Sequence, residues 1–147
     1  MKRDKKIVYD IYFASPFFNA EQVERERRLV SLLRSYELKV YAPSENGIIE
    51  KNASASKRQK IFADNIKAIK HSQRIFAVTD GKDVGTIWEA GYGYAKKKEV
   101  IYYAETINGP FNIMLAQSGI AVFSNMESLE AALRKGSFDT FEVKEFE

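Results

Sequence analysis

Apolar residues follow two rhythms along this chain. Short continuous runs rich in β-branched and aromatic residues alternate with longer stretches in which apolar positions recur every three or four residues. The first run, residues 7–13 (IVYDIYF), is closed by Ala14-Ser15-Pro16 and reads as a buried strand entering a turn. Asn19 then stands where a helix N-cap belongs, with Gln22 three residues on to complete a capping box, and Leu29, Leu33 and Tyr36 carry the helical period to about residue 36. Residues 38–41 predict a second strand, stopped by residues 42–47, whose Pro43 and Asn46-Gly47 are turn punctuation. From about Ser56 a second helix places Phe62, Ile66 and Ile69 on one face, and residues 74–79 (RIFAVT) predict a third strand. Residues 85–97 predict a third helix, 100–103 a fourth strand and 120–123 a fifth. Ser124 or Asn125 can cap a last helix carrying Leu129 and Leu133, which Gly136 ends before a polar-aromatic tail.

Five short strands separated by helices need crossover connections, so the expected fold is α/β: a three-layer sandwich, with a five-stranded, mostly parallel sheet of flavodoxin- or Rossmann-like character between helical layers. In such sheets ligands bind outside the carboxyl ends of the strands, near the point where strand order reverses. The loops after strands one to four are therefore where chemistry is sought.

Composition narrows the class. A chain of 147 residues, 45% hydrophobic and 13% aromatic, fits one domain spanning 1–147 with one real core. The absence of cysteine excludes disulfides and thiolate metal sites and is compatible with a reducing cytoplasm, the expected compartment. The charged start is followed by only a few apolar residues before Asp10, so no signal peptide is expected, and no run approaches the roughly 20 apolar residues that span a bilayer. The net charge of +3 arises from 23 basic and 20 acidic residues. The basic clusters, Lys5-Lys6, Arg27-Arg28, Lys57-Arg58 and Lys96-Lys97-Lys98, are scattered over helix surfaces and ends. They read as solvated faces, so neither a nucleic-acid polymer nor a membrane is expected as a partner.

One post-strand segment is unusual. Asp80-Gly81-Lys82-Asp83-Val84-Gly85-Thr86 runs into Ile87-Trp88-Glu89-Ala90-Gly91-Tyr92-Gly93, which sets Asp83 and Glu89 six residues apart around a helix start. Asp83 can cap that helix. Ile87, Ala90, Gly91 and Tyr94 form the stripe expected to face the sheet, and Glu89 points elsewhere with Gly85 and Gly93 four residues to either side. Interior glycines cost about 1 kcal/mol each relative to alanine, so those at 91 and 93 need a packing reason or an access reason, and access for a bulky ligand fits. The segment lacks the P-loop and dinucleotide-binding patterns. On pattern alone, a cap, a solvated helix glutamate and close-packing glycines explain it equally well. Asp64 reads as a surface carboxylate and the lone His71 as a helix-end residue. Tyr12, Phe17, Phe18 and Trp88 suit either the core or an apolar wall for an aromatic base, and Asn112 suits either a helix start or a ligand contact.

Taken together, four motifs in order resemble the nucleoside 2-deoxyribosyltransferase family over roughly residues 7–133. They are Tyr12-Phe13-Ala14-Ser15-Pro16-Phe17-Phe18, Ile61-Phe62-Ala63-Asp64, residues 83–92 (DVGTIWEAGY) and Pro110-Phe111-Asn112-Ile113-Met114-Leu115; the third is the most specific. The resemblance implies that Glu89 is the nucleophile that attacks C1′ of a deoxynucleoside and forms a glycosyl ester, a chemistry suited to an oxocarbenium-like transition state. It implies that Asp83, near Gly85, holds the sugar hydroxyls, that Asp64 exchanges a proton with the base, and that Tyr12 orients the nucleophile. Phe18 would wall the base pocket. Asn112 and Met114 would come from a neighbouring subunit to the sugar 5′-hydroxyl, which implies a homo-oligomer with shared sites. The substrates would be a deoxynucleoside and a free nucleobase, with no cofactor and no metal. Where some members carry a glutamine for base recognition this chain has Gly47, and the tail after Gly136 aligns poorly. The segment around Asn112 is closer to the purine-preferring branch. Two other readings share the fold: an N-glycosidase of nucleosides or deoxynucleoside 5′-monophosphates, in which water resolves the ester, and a non-catalytic nucleotide-sensing domain.

Overall fold

A computed structural model describes residues 6–47 and 49–147. Most of the charged start, residues 1–5, lies outside the described residues. Five strands, β1 (Tyr9–Ala14), β2 (Val40–Tyr41), β3 (Ser72–Val78), β4 (Glu99–Tyr103) and β5 (Gly119–Phe123), form one sheet in the order β2-β1-β3-β4-β5. Every pairing is parallel, so the sheet is wholly rather than mostly parallel. This 2-1-3-4-5 order is the flavodoxin-like one, and it reverses between β1 and β3.

Side chains alternate across the sheet and define two cores. Ile11, Phe13, Phe76, Val78, Ile101, Tyr103 and Phe123 face one way and meet Leu29, Leu33, Leu129 and Leu133 from α1 (Ala20–Ser35) and α5 (Met126–Lys135). Tyr12, Ala14, Ile75, Ala77, Val100, Tyr102 and Val122 face the other way, under Ile69 of α2 (Ala55–Lys70), Ala90 of α3 (Val84–Ala95) and Ala116 of α4 (Ile113–Ser118). Two short 3-10 turns, η1 (Pro43–Asn46) and η2 (Asp80–Lys82), follow β2 and β3.

The local signals act much as their chemistry predicts. Asn19, Ser54, Asp83, Asn112 and Asn125 each accept from a backbone N–H of the helix they precede, and Gly136 closes α5 in the left-handed region. The Gln22 side chain reaches one residue further back than a capping box requires, to the Phe18 N–H.

Two expectations about helix faces are corrected. The buried face of α3 is Thr86, Ala90 and Gly93, whereas Gly91 and Tyr94 are exposed. The reason is steric: a Cβ at Gly93 would stand 2.4 Å from Cγ1 of Ile75, so the glycine lets α3 lie directly on β3 and serves packing rather than ligand access. Phe62 does not share the sheet-facing side of Ile69. It is 58% exposed and tilts against Trp88, which stacks on Tyr92, forming an aromatic ridge across the outer surfaces of α2 and α3.

The tail extends the sheet's far edge. Val122 N–H donates to the Thr140 carbonyl and Glu142 N–H to the Val122 carbonyl, and Phe111 bridges Phe146. Among the described residues no helix is long and apolar enough to cross a membrane.

Candidate active site

Because alternate residues of β1 face opposite layers, Tyr12 is sent under α2 and α3 while its neighbours Ile11 and Phe13 enter the other core. Its ring is fully buried, and its hydroxyl donates a hydrogen bond to Oε2 of Glu89. The rotation of α3 set by Gly93 aims Glu89 at this position, part-buried above the carboxyl end of β1 rather than on a solvated face. Burial pushes the Glu89 carboxyl up to about 7; the Tyr12 hydrogen bond opposes that rise and the nearby charge of Asp83 adds to it. Burial likewise pushes the Tyr12 phenol far above its ordinary range, with the Glu89 charge acting in the same sense.

Asp83 caps α3 with one oxygen: its Oδ2 accepts from Thr86 N–H and from Thr86 Oγ1, both at 2.9 Å. Gly85 is exposed beside it, and a Cβ there would sit 3.4 Å from that same oxygen. Asp64 projects from α2 and pairs with Lys60 one turn earlier, Nζ to Oδ2 at 2.6 Å. Glu89 and Asp64 line one cleft of about 680 Å³ at the switch point, walled by α2 on one side and by Tyr9, Tyr41 and Asn46 on the other. Phe17 also lines it. Phe18 stacks on Phe17 at 5.9 Å but is itself 74% exposed, on the outer side of that aromatic pair.

Tyr12, Glu89, Asp83 and Asp64 are thus brought to one end of the sheet, whereas Asn112 and Met114 are not. Those two line a second cleft of about 590 Å³, beyond the ends of β3 and β4, with Asp80, Lys82 and Phe111. Asn112 Oδ1 caps α4 through Met114 N–H and Leu115 N–H, and the Met114 side chain is 74% exposed. His71 lies at the C-cap of α2 and on the wall of the first cleft. Among the described residues no three His, Asp or Glu side chains are grouped to hold a metal ion.

Sequence reasoning passed over several residues of this region. Lys60 carries an i,i+4 signal toward Asp64 that was there to be used. Tyr41 lies beside Tyr12 only because of the β1–β2 register. Asp80 is a buried carboxylate accepting from Glu105 N–H, Thr106 N–H and Thr106 Oγ1, which ties η2 to the loop after β4. Glu105 in turn binds Arg25 and Arg28 of α1.

Comparison with known proteins places the family and the fold. The nucleoside 2-deoxyribosyltransferase family profile matches residues 11–128. Among solved structures, the chain is similar to a 2-deoxyribosyltransferase from the psychrotolerant bacterium Bacillus psychrosaccharolyticus, at 32% identity and a TM-score of 0.75, over 84% of this chain and 94% of that one. A conserved protein from Enterococcus faecalis V583 (24% identity, TM-score 0.60, 91% and 90% covered) shares the fold, as does a CMP N-glycosidase of Clostridium botulinum (16% identity, TM-score 0.57, 85% and 98% covered). No curated protein matches the chain.

Proposed function

The chain belongs to the nucleoside 2-deoxyribosyltransferase family, and from that premise we propose that it exchanges the nucleobase of 2′-deoxynucleosides through a deoxyribosyl ester on Glu89. One observation carries the reading: a part-buried glutamate, held by a tyrosine hydroxyl, shares a cleft with a second carboxylate at the switch point of the sheet.

In the first step a Glu89 carboxylate oxygen forms a bond to C1′. The C1′–N bond breaks, its electron pair goes to the base, and Asp64 supplies the proton that lets the base leave neutral. In the second step a nitrogen of the incoming base attacks C1′, the ester C–O pair returns to Glu89, and Asp64 takes up the proton the incoming base gives off. Two displacements restore the original anomeric configuration. Thr86 engages Oδ2 of Asp83, which leaves Oδ1 to accept from a sugar hydroxyl. Tyr12 fixes Oε2 of Glu89, so Oε1 is the oxygen presented to the sugar. Asn112 and Met114, exposed and apart from Glu89 within one chain, serve the site of a neighbouring subunit in a homo-oligomer. The reaction suits salvage of deoxynucleosides in the cytoplasm.

The test is incubation with deoxyinosine, with and without adenine, followed by chromatography of both bases and nucleosides, alongside Glu89→Ala. Deoxyadenosine formed only when adenine is present supports transfer. Hypoxanthine released at one rate with or without acceptor assigns the N-glycosidase reaction instead, and no turnover of any purine or pyrimidine deoxynucleoside leaves a binding domain.

A further inference from the structure

Glu89 is held by Tyr12, and Tyr12 is itself one ring of a stack. The parallel register sets Tyr41 of β2 directly beside Tyr12 of β1, and their rings lie 5.6 Å apart at 16° to one another. Tyr9 also packs against Tyr41, tilted, at 5.1 Å and 59°. The Tyr41 hydroxyl accepts from Nδ2 of Asn46 at 2.5 Å. Asn46 ends η1, a turn clamped to α1 at two points. Ser44 Oγ donates to the buried Glu26 at 2.5 Å, and Arg34 grips Glu45 through both terminal nitrogens while also donating to the Val40 carbonyl at 2.9 Å. A continuous set of contacts therefore runs from α1 through η1, Asn46, Tyr41 and Tyr12 to the glutamate.

We propose that Tyr41 is a positioning residue for the nucleophile: its ring, anchored by Asn46, fixes the plane of Tyr12 and thereby the direction in which the Tyr12 hydroxyl donates to Glu89. The inference rests on the proposed role of Glu89. A phenol free to tip about its side-chain torsions loses alignment with a carboxylate oxygen, and hydrogen bonds weaken steeply with misalignment. The stacked ring opposes that tipping. Tyr41 also lines the cleft that holds Asp64, so one side chain spans the nucleophile and base halves of the site.

The consequence is electrostatic. The Tyr12 hydrogen bond favours ionised Glu89, so loosening Tyr12 raises the pH at which Glu89 ionises. The groups around that carboxylate are Tyr12 from β1, Asp83 from the start of α3, and Asp64 and Lys60 from α2. Lys57, Lys67 and His71 lie further along the same wall, and Tyr41 lies behind Tyr12.

The experiment is a carbon-13 NMR titration of side-chain-labelled glutamate in the full chain, with the Glu89 signal assigned by its loss in Glu89→Gln. Tyr41→Leu is expected to raise the midpoint by about half a pH unit or more, toward the value in Tyr12→Phe. The double variant Tyr12→Phe/Tyr41→Leu should lie no higher than Tyr12→Phe alone, because Tyr41 acts through Tyr12. Asn46→Ala, which releases the ring from the turn, should move the midpoint the same way by less, and it is the second test if Tyr41→Leu fails to fold. A midpoint unmoved in every folded variant, or additive shifts in the double variant, overturns the proposal. The titration needs no turnover: an unmoved midpoint in a chain that transfers deoxyribose rejects the positioning role alone, whereas a moved midpoint in an inactive parent chain rejects the enzymatic reading and keeps the stack.

Discussion

Replacing Glu89 by Gln tests the raised ionisation of the carboxyl directly. The carboxyl is shifted from its ordinary 4.5 to about 7, chiefly by burial. At about 1.4 kcal/mol per pH unit, folding therefore disfavours its ionised form by about 3 kcal/mol, an upper value because the cleft admits water. The sign follows from which state holds the proton. Below pH 4.5 the carboxyl is protonated folded or unfolded, and the parent chain loses nothing. Between 4.5 and about 7 the folded state keeps a proton the unfolded state has released, so the stability the parent had at low pH declines, and above pH 7 the whole cost is present. Glutamine keeps an acceptor for the Tyr12 hydroxyl and never ionises, so the variant escapes the decline. Urea unfolding of both proteins at half-unit steps from pH 4.5 to 8.5 isolates the effect, since every other titrating group is common to the pair. Glu89→Gln should gain on the parent by up to about 3 kcal/mol between the two ends, or about 2 to 4 °C of midpoint per kcal/mol for a chain of this size. A gap that stays constant across that range refutes the burial argument.

Asp64→Asn keeps the cleft's shape but removes the proton donor, so transfer should slow by about 10²- to 10⁴-fold while Glu89 still accepts deoxyribose from a substrate with an activated leaving group; single-turnover ester formation checks the separation. Gly93→Ala brings a methyl to 2.4 Å from Ile75 Cγ1 in the buried centre of β3, and the clash should outweigh the gain in helix propensity for a net loss of about 1 to 3 kcal/mol in denaturant unfolding. Glu105 is pushed up by burial but held down more strongly by Arg28, Arg25 and Tyr103, to about 2. The parent's advantage over Glu105→Gln should be complete above about pH 4.5 and vanish as pH falls toward 2, read as the pH dependence of the unfolding midpoint.

The fold was legible because its signals are local. Strand runs, asparagine and aspartate caps and the glycine after α5 each act over a few residues, and the alternation of strand and helix leaves few topologies. What the sequence did not reveal depends on register and rotation. The face that α3 buries is decided by a contact between Gly93 and Ile75, eighteen residues apart on different elements, and helical periodicity within α3 points to a neighbouring stripe instead. The partnership of Tyr41 with Tyr12 follows from how β2 pairs with β1, which no pattern within either strand encodes. Glu89, Asp83, Asp64 and Tyr12 were singled out through the order of four motifs, while their convergence on one end of the sheet needed the fold. The cleft's other wall, Tyr9, Tyr41 and Asn46, lies outside all four motifs.

As the proposed nucleophile, Glu89 has to meet two requirements that pull against each other. A carboxylate in water is a weak nucleophile because solvent stabilises its charge, and burial of Glu89 between α3 and the sheet weakens that stabilisation, as the rise to about 7 records. The same burial, left unopposed, would keep the group protonated and unable to attack. The hydrogen bond from Tyr12 eases the conflict because it stabilises the anion through one oxygen, Oε2, and in one direction. That arrangement works only if Tyr12 ionises far less readily than Glu89, and its complete burial, with a neighbouring negative charge, pushes its phenol well upward. In the proposed reaction the charge on Glu89 disappears when the ester forms and returns when it breaks. The tyrosine bond is then strongest before the first displacement and at the end of the second, which makes Tyr12 a support for the leaving carboxylate as well as for the attacking one.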